Sequence, residues 1–410
     1  MDTLILADSL TGAASAGVKF SANAPVKLTS LSNPRLPSNC DILALNAETR
    51  KQPPQEIGRS LRKLPAFLGS WRPQLVFQKI DSRLRGHVGL ELAHLLAALS
   101  FRCALVVPAS PEFGRATLNG IHMIGGKPLE SAEASQEEPV HESRLKVLLA
   151  KDHDLPVESL EIATVRKGPA ATAEAVEEFM SRHDRFLVAC DAETEDDLDI
   201  LVRSADQKTD QILFAGSSAL ATALTEFFRA AHNWLADEYH PPIPACPDLF
   251  FGGSPAETLR TQFELLAADH HGDLITINLE ALFGGPGQTI PPHVKGRPLI
   301  LTLPPPSQDP AEKAKYPIQP MISKFGRFAA DLIKNRQHQS VFLSGGLTCR
   351  EALESLGRYD TWIRSEICPG VVYLSAGPLS VLCKSGNFGA ADLLSRLYKS
   401  LKEQSPVVYC

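Results

Sequence analysis

The stretch Val341-Phe342-Leu343-Ser344-Gly345-Gly346 reads as a buried strand that ends in a turn of small residues. Residues 348–356 follow with helical period and stop at Gly357. The same design occurs twice more. Ile212-Leu213-Phe214-Ala215-Gly216-Ser217-Ser218 leads into 219–230, and Leu249-Phe250-Phe251-Gly252-Gly253-Ser254 leads into 256–267. Strands that are apolar without alternation are buried on both faces, as in parallel sheets covered by helices. Further short apolar runs at 4–7, 41–45, 75–78, 104–107 and 186–189 alternate with helix candidates at 56–64, 90–99 and 172–182. The expected fold class is therefore α/β, with mostly parallel sheets flanked by helices.

A chain of 410 residues exceeds what one core usually serves, so two domains are expected. The run Pro241-Pro242-Ile243-Pro244-Ala245-Cys246-Pro247 cannot continue a helix. It sets the expected division: a first domain over 1–236, a linker over 237–247, a second domain over 248–410, and a cleft between the domains. A second proline- and glycine-rich region, 284–310, reads either as a loop over a site or as a surface connection.

Composition excludes several function classes. There are 41 Lys+Arg against 47 Asp+Glu, a net charge of -6, and no basic stripe, which argues against a nucleic-acid partner. No two of the eight cysteines form a CxxC pair, so neither a zinc site nor a thioredoxin-like motif is suggested. The adjacent His270-His271 reads as a helix end, because neighbouring side chains rarely face one point; no metal site is expected. The apolar run after Met1 is too short for a signal peptide, and no stretch approaches the ~20 apolar residues of a membrane span. The expected location is the cytoplasm, with no membrane partner.

The strand–turn–helix design favours anions. Glycine lets the backbone approach a ligand, and the first helical turn presents unpaired N–H groups at the positive dipole end. Phosphate is the commonest small anion to use this arrangement. Taken singly, Ser217, Ser254 and Thr348 are more simply caps or turn residues. Two such turns in the second domain, beside Lys384-Ser385-Gly386-Asn387-Phe388-Gly389, favour a ligand. There the glycines around Asn387 permit a nest of N–H groups, with Lys384 as an added point charge. The spacing is not that of a Walker A loop.

In the first half, Lys79-Ile80-Asp81-Ser82-Arg83-Leu84-Arg85-Gly86 lies just past the strand 75–78. α/β sheets bind ligands at such carboxyl ends. Lys79 or an arginine suits a ligand carboxylate, and Asp81 suits hydroxyls. Asp8 holds the equivalent place after the first strand, where it can bind hydroxyls, act as a base or cap the helix 13–20. Arg50 completes a rim. Gly114-Arg115 adds a contribution inside what reads as a proline-bounded loop.

Together these segments resemble the four-carbon acid sugar kinase family, over nearly the whole chain. The strongest matches are Lys79-Ile80-Asp81-Ser82 with Leu84-Arg85-Gly86, and Lys384-Ser385-Gly386-Asn387-Phe388-Gly389. The resemblance implies a sugar-acid-binding first domain, an ATP-binding second domain, and phosphorylation of a tetronate at its terminal hydroxyl. By position, Asp8, Arg50, Lys79, Asp81 and Ser82 hold the acid, with Arg83 and Arg115 beside them. Ser254, Gly345, Gly346, Thr348 and Gly386 hold the nucleotide, with Lys384, Asn387 and Gly389 in the nest. ATP and Mg²⁺ are the cofactors implied, and a homodimer is an open expectation. Asp8 or Asp81 takes the hydroxyl proton. The chain departs from the family pattern at Ser9, Arg83 and Leu347. These departures leave open a second reading, a weakened member that binds a sugar acid or regulates. A third, a non-kinase enzyme on the same anion loops, consumes no ATP.

Overall fold

A computed structural model of the chain describes residues 2–21, 24–32, 40–132, 140–231, 242–292, 294, 296–358 and 361–403. The chain divides into two compact units, Met1–Tyr239 and His240–Cys410. Much of the expected linker 237–247 lies outside the described residues.

In the first unit, eight strands form an all-parallel array. They are β1 (Thr3–Ala7), β2 (Val26–Ser30), β3 (Ile42–Asn46), β4 (Leu75–Lys79), β5 (Cys103–Val107), β9 (Val157–Leu160), β10 (Phe186–Cys190) and β11 (Ile212–Gly216). Their order is β2-β3-β1-β4-β11-β5-β10-β9. Continuous apolar strands such as Leu4-Ile5-Leu6 and Ala104-Leu105-Val106 are buried throughout, as the lack of alternation requires. After β1 the chain turns towards β2 and β3, and after β4 it turns the other way. The boundary between β1 and β4 is therefore a topological switch point, where loops leave in opposite directions and open a crevice.

Between β5 and β9 lies a small antiparallel sheet of β6 (Arg115–Leu118), β7 (Ile121–Ile124) and β8 (Lys127–Pro128). The expected proline-bounded loop is thus a one-turn 3-10 helix, Pro111–Phe113, feeding an edge strand that begins at Arg115.

The second unit repeats the logic. Its strands are β12 (Leu249–Gly252), β13 (Asp273–Thr276), β14 (Leu299–Thr302), β15 (Ser340–Ser344), β16 (Thr361–Cys368), β17 (Val371–Ala376) and β18 (Leu379–Lys384). The order is β13-β14-β12-β15-β18-β17-β16, parallel from β13 to β18 and antiparallel through β17 and β16. The switch point falls between β12 and β15. The region 284–310 is no continuous loop, because β14 sits inside it between β12 and β13. Prolines on both sides hid a strand whose first three residues are buried. Both units pack helices on their sheets, and each has its own buried apolar cluster. No helix among the described residues is long and apolar enough to cross a membrane.

Candidate active site

In the first unit the switch point carries a compact set of charges. Asp8 follows β1, and Ser9 rather than Asp8 caps the helix Leu10–Phe20, its hydroxyl accepting from the Gly12 N–H. That leaves the Asp8 carboxylate to Arg50, whose Nε donates to Oδ2 at 2.7 Å and Nη2 to Oδ1 at 2.8 Å. Such a two-pronged pair fixes geometry as well as charge. Arg50 Nη1 also lies 3.8 Å from Asp81 Oδ2.

Asp81 organises the loop after β4. Its Oδ1 accepts the Arg83 N–H at 2.9 Å, and its Oδ2 accepts Arg85 Nε at 2.6 Å. Burial alone would raise this carboxyl, but Arg50 and Arg85 hold it well below the usual carboxylate range. Lys79 ends β4 almost fully buried, and its ammonium donates to the Ile80 carbonyl at 2.5 Å. Burial pushes it down to about 8, against the pull of Asp81 and Asp8. Its ammonium therefore serves the loop backbone, where the sequence suggested a direct hold on a ligand carboxylate.

Ser82 is gripped from the small sheet. Arg115 Nη1 donates to its hydroxyl. His122 Nε2 lies 2.8 Å from the Ser82 carbonyl and must donate to it, so the Thr117 hydroxyl donates to Nδ1 at 2.9 Å. Burial holds this imidazole neutral by pushing it down to about 4. Glu91 lies beneath, taking Gln78 Nε2 at 3.3 Å, and burial with the Asp8 charge pushes it up to about 8. Sequence reasoning missed Glu91 and His122 as members of this set and carried Arg85 only within the stretch after β4, without a role of its own. Arg85 was legible as a second arginine four residues from Asp81; the other two come from elements that only the fold brings near. Arg83 joins through its backbone N–H.

The second unit gathers its expected residues around β12, β15 and β18. Gly345 takes φ +99°, a conformation that L side chains rarely adopt, and turns β15 into the helix Gly346–Ser355. Thr348, in the first turn, is fully buried, and its hydroxyl has no hydrogen-bond partner among the described residues. Three loops press together here: a Cβ on Gly253 would overlap the Thr348 hydroxyl, and a Cβ on Gly386 would overlap the Ser254 side chain. Ser254 also accepts the Ala256 N–H at 3.3 Å. By contrast, the similar turn at Ser217 is closed, since its hydroxyl donates to the Ala109 carbonyl and accepts the Ala219 N–H.

Lys384 does not project at a ligand as a point charge. It is 1% exposed, and its Nζ donates to the carbonyls of Ser385 (2.8 Å), Gly386 (3.3 Å) and Phe388 (2.8 Å). Gln262 Nε2 donates to the Phe388, Gly389 and Ala390 carbonyls at 3.0, 3.2 and 2.8 Å. His270, the last residue of the helix Glu257–His270, bonds to Ser395 through Nε2, and His271 caps that helix.

The chain thus has two α/β units, one with a switch point rich in paired carboxylates and arginines and the other with three glycine-bearing loops pressed together. Residues 3–224 match the sugar-binding N-terminal domain, and residues 252–394 match the nucleotide-binding C-terminal domain. The chain belongs to the four-carbon acid sugar kinase family. It is 25% identical to a D-threonate kinase of Salmonella typhimurium, over the full length of both chains. It is 31% identical to a D-erythronate kinase of Heliobacterium modesticaldum, over 50% of this chain and 48% of that one. It is 26% identical to a 3-oxo-tetronate kinase of Cupriavidus necator, over 88% of this chain and 87% of that one. In fold it resembles a Salmonella typhimurium protein described as a putative tRNA synthase, with TM-score 0.74, 20% identity, and 96% and 97% of the two chains covered. A Haemophilus influenzae protein gives TM-score 0.72 at 19% identity, covering 98% and 99%.

Proposed function

We propose that this protein is an ATP-dependent kinase that phosphorylates a four-carbon sugar acid, a tetronate or its oxo form, at the terminal hydroxyl. The observation that carries this reading is the buried, unpartnered Thr348 hydroxyl at a helix start where three glycine-bearing loops converge. A polar group with no partner in so dry a place is expensive unless a ligand completes it. The kinase relatives support the substrate class.

Residues 1–236 bind the acid and 248–410 bind ATP. The nucleotide's phosphates lie against Ser254, Gly345, Gly346, Thr348 and the N–H groups of Gly386, Asn387 and Gly389. The acid's carboxylate is met by Arg115, at the start of β6, and by Arg83, on the loop after β4 that Lys79 and His122 hold. Phosphoryl transfer asks mainly for positioning and charge neutralisation, so the acid's hydroxyl must be brought in line with the terminal phosphate.

Between the two candidate bases, geometry favours Asp8. Asp81 is spent on Arg85 and the Arg83 N–H, and a carboxylate held so far below its usual range is a poor proton acceptor. Asp8 is aimed by a single arginine, and each of its oxygens keeps a spare lone pair. Mg²⁺ belongs to this reading as part of the nucleotide complex. Among the described residues no cluster of three His, Cys, Asp or Glu fits a resident ion, so no step is assigned to one. The free thiols among the described cysteines support a cytoplasmic location. A homodimer, readable by light scattering, completes the proposal.

The test is ADP release from ATP with D-threonate, D-erythronate and 3-oxo-tetronate in turn. Turnover with at least one acid is expected, falling about 10²- to 10⁴-fold in Asp8→Asn, while Asp81→Asn acts mainly on the acid's KM. Stabilisation by an acid with no ADP formed from any of the three would instead support the non-catalytic binder.

A further inference from the structure

The loop that follows β18 is built upside down relative to its charge. A lysine beside a glycine-rich turn ordinarily reaches the anion itself. Here Lys384 is the last residue of a buried strand, and its ammonium sits under the loop on three carbonyls, those of Ser385, Gly386 and Phe388. Gln262, wholly buried on the helix Glu257–His270, donates from Nε2 to the carbonyls of Phe388, Gly389 and Ala390, sharing the Phe388 carbonyl with Lys384. Five carbonyls of one six-residue loop are thus turned towards two donor groups.

The consequence follows from the planarity of the trans peptide. Across each peptide, the carbonyl of one residue and the N–H of the next point in opposite directions. Pulling the carbonyls of residues 385, 386, 388 and 389 to one side sends the N–H groups of Gly386, Asn387, Gly389 and Ala390 to the other. A row of N–H groups aimed one way is an anion nest. Gly386 permits the arrangement because any Cβ there would meet Ser254.

We propose that Lys384 and Gln262 are positioning residues that hold the loop's carbonyls from beneath and so aim its N–H groups at the nucleotide's phosphates, without touching the nucleotide. This rests on the nucleotide-binding reading of the second unit. When protonated, the buried amine adds a positive field behind the N–H groups, stronger in a dry interior than at a solvated surface. At 1% exposure burial pushes the Lys384 amine down to about 7, so its three hydrogen bonds offset only part of the desolvation.

The experiment compares Lys384→Met, Gln262→Leu and Gly386→Ala in the full chain. Steady-state kinetics use the fastest acid of the three above, and calorimetric titration with the non-hydrolysable analogue AMP-PNP needs no acid at all. Lys384→Met is expected to raise the KM for ATP and the AMP-PNP Kd at least about tenfold. The acid's KM should stay within about twofold and kcat at saturating ATP within about threefold, a split that general loosening does not produce. Gln262→Leu should show the same split with a smaller rise, and it decides the matter if Lys384→Met melts without a cooperative transition. An unchanged AMP-PNP Kd in Lys384→Met or, failing its folding, in Gln262→Leu overturns the proposal. If Gly386→Ala also leaves nucleotide binding untouched, it is the underlying reading of the loop that fails.

Discussion

At position 9 the chain carries serine where its family pattern has aspartate. Serine and aspartate are both strong N-caps, and the Ser9 hydroxyl does the capping, so the exchange is locally neutral and leaves Asp8 to Arg50. Leu347 is different in kind. It leaves the first turn of Gly346–Ser355 without a carboxylate, so nothing there opposes an anion at the dipole's positive end. Glu91 offers the clearest pH test. Its carboxyl is raised from an ordinary 4.5 to about 8 by burial and by Asp8, so the unfolded chain ionises it first. The stability it permits is present below pH 4.5 and lost as pH rises towards 8. Glu91→Gln keeps the shape but cannot ionise. Thermal unfolding should show the variant gaining on the wild type between pH 5 and 8 by more than about 1 kcal/mol; parallel curves would contradict a buried neutral carboxyl.

The elements were unevenly legible. Continuous apolar runs announced β1, β4, β5 and β10 because strands buried on both faces are mostly apolar, with Gln78 and Lys79 as buried exceptions at the end of β4. Val26-Lys27-Leu28-Thr29-Ser30 gave no such signal, although Lys27 is buried with the rest of β2. Only 108–115 was read, as a proline-bounded loop; the antiparallel β6–β8 sheet beyond it gave no signal, since Pro111 and the glycines at 114, 120, 125 and 126 punctuate the segment. Yet that sheet holds the Ser82 loop, which the proposal assigns to the acid, through His122. Removing the imidazole in His122→Ala leaves the Ser82 carbonyl without its donor, at a cost of ~1–3 kcal/mol in unfolding free energy. The KM for the sugar acid should rise while that for ATP stays put. A rise in both would mean the sheet serves general stability alone. Lys384 shows the complementary limit: sequence gives a cation next to glycines, but only the burial of β18 decides which way its amine turns.

For the whole molecule, division into two α/β units followed from length and from the repeated strand–turn–helix design. That both sets of candidate residues sit at a switch point did not, because strand order depends on which edge each crossover takes. The central claim is a division of labour between the units, and hydrogen-exchange mass spectrometry reads it directly. AMP-PNP should slow exchange in 345–349 and 385–390 and leave 8–12 and 79–86 unchanged when added alone. A turned-over sugar acid added alone should do the reverse. Protection of the first unit's loops by AMP-PNP, with 385–390 unaffected, would contradict the account.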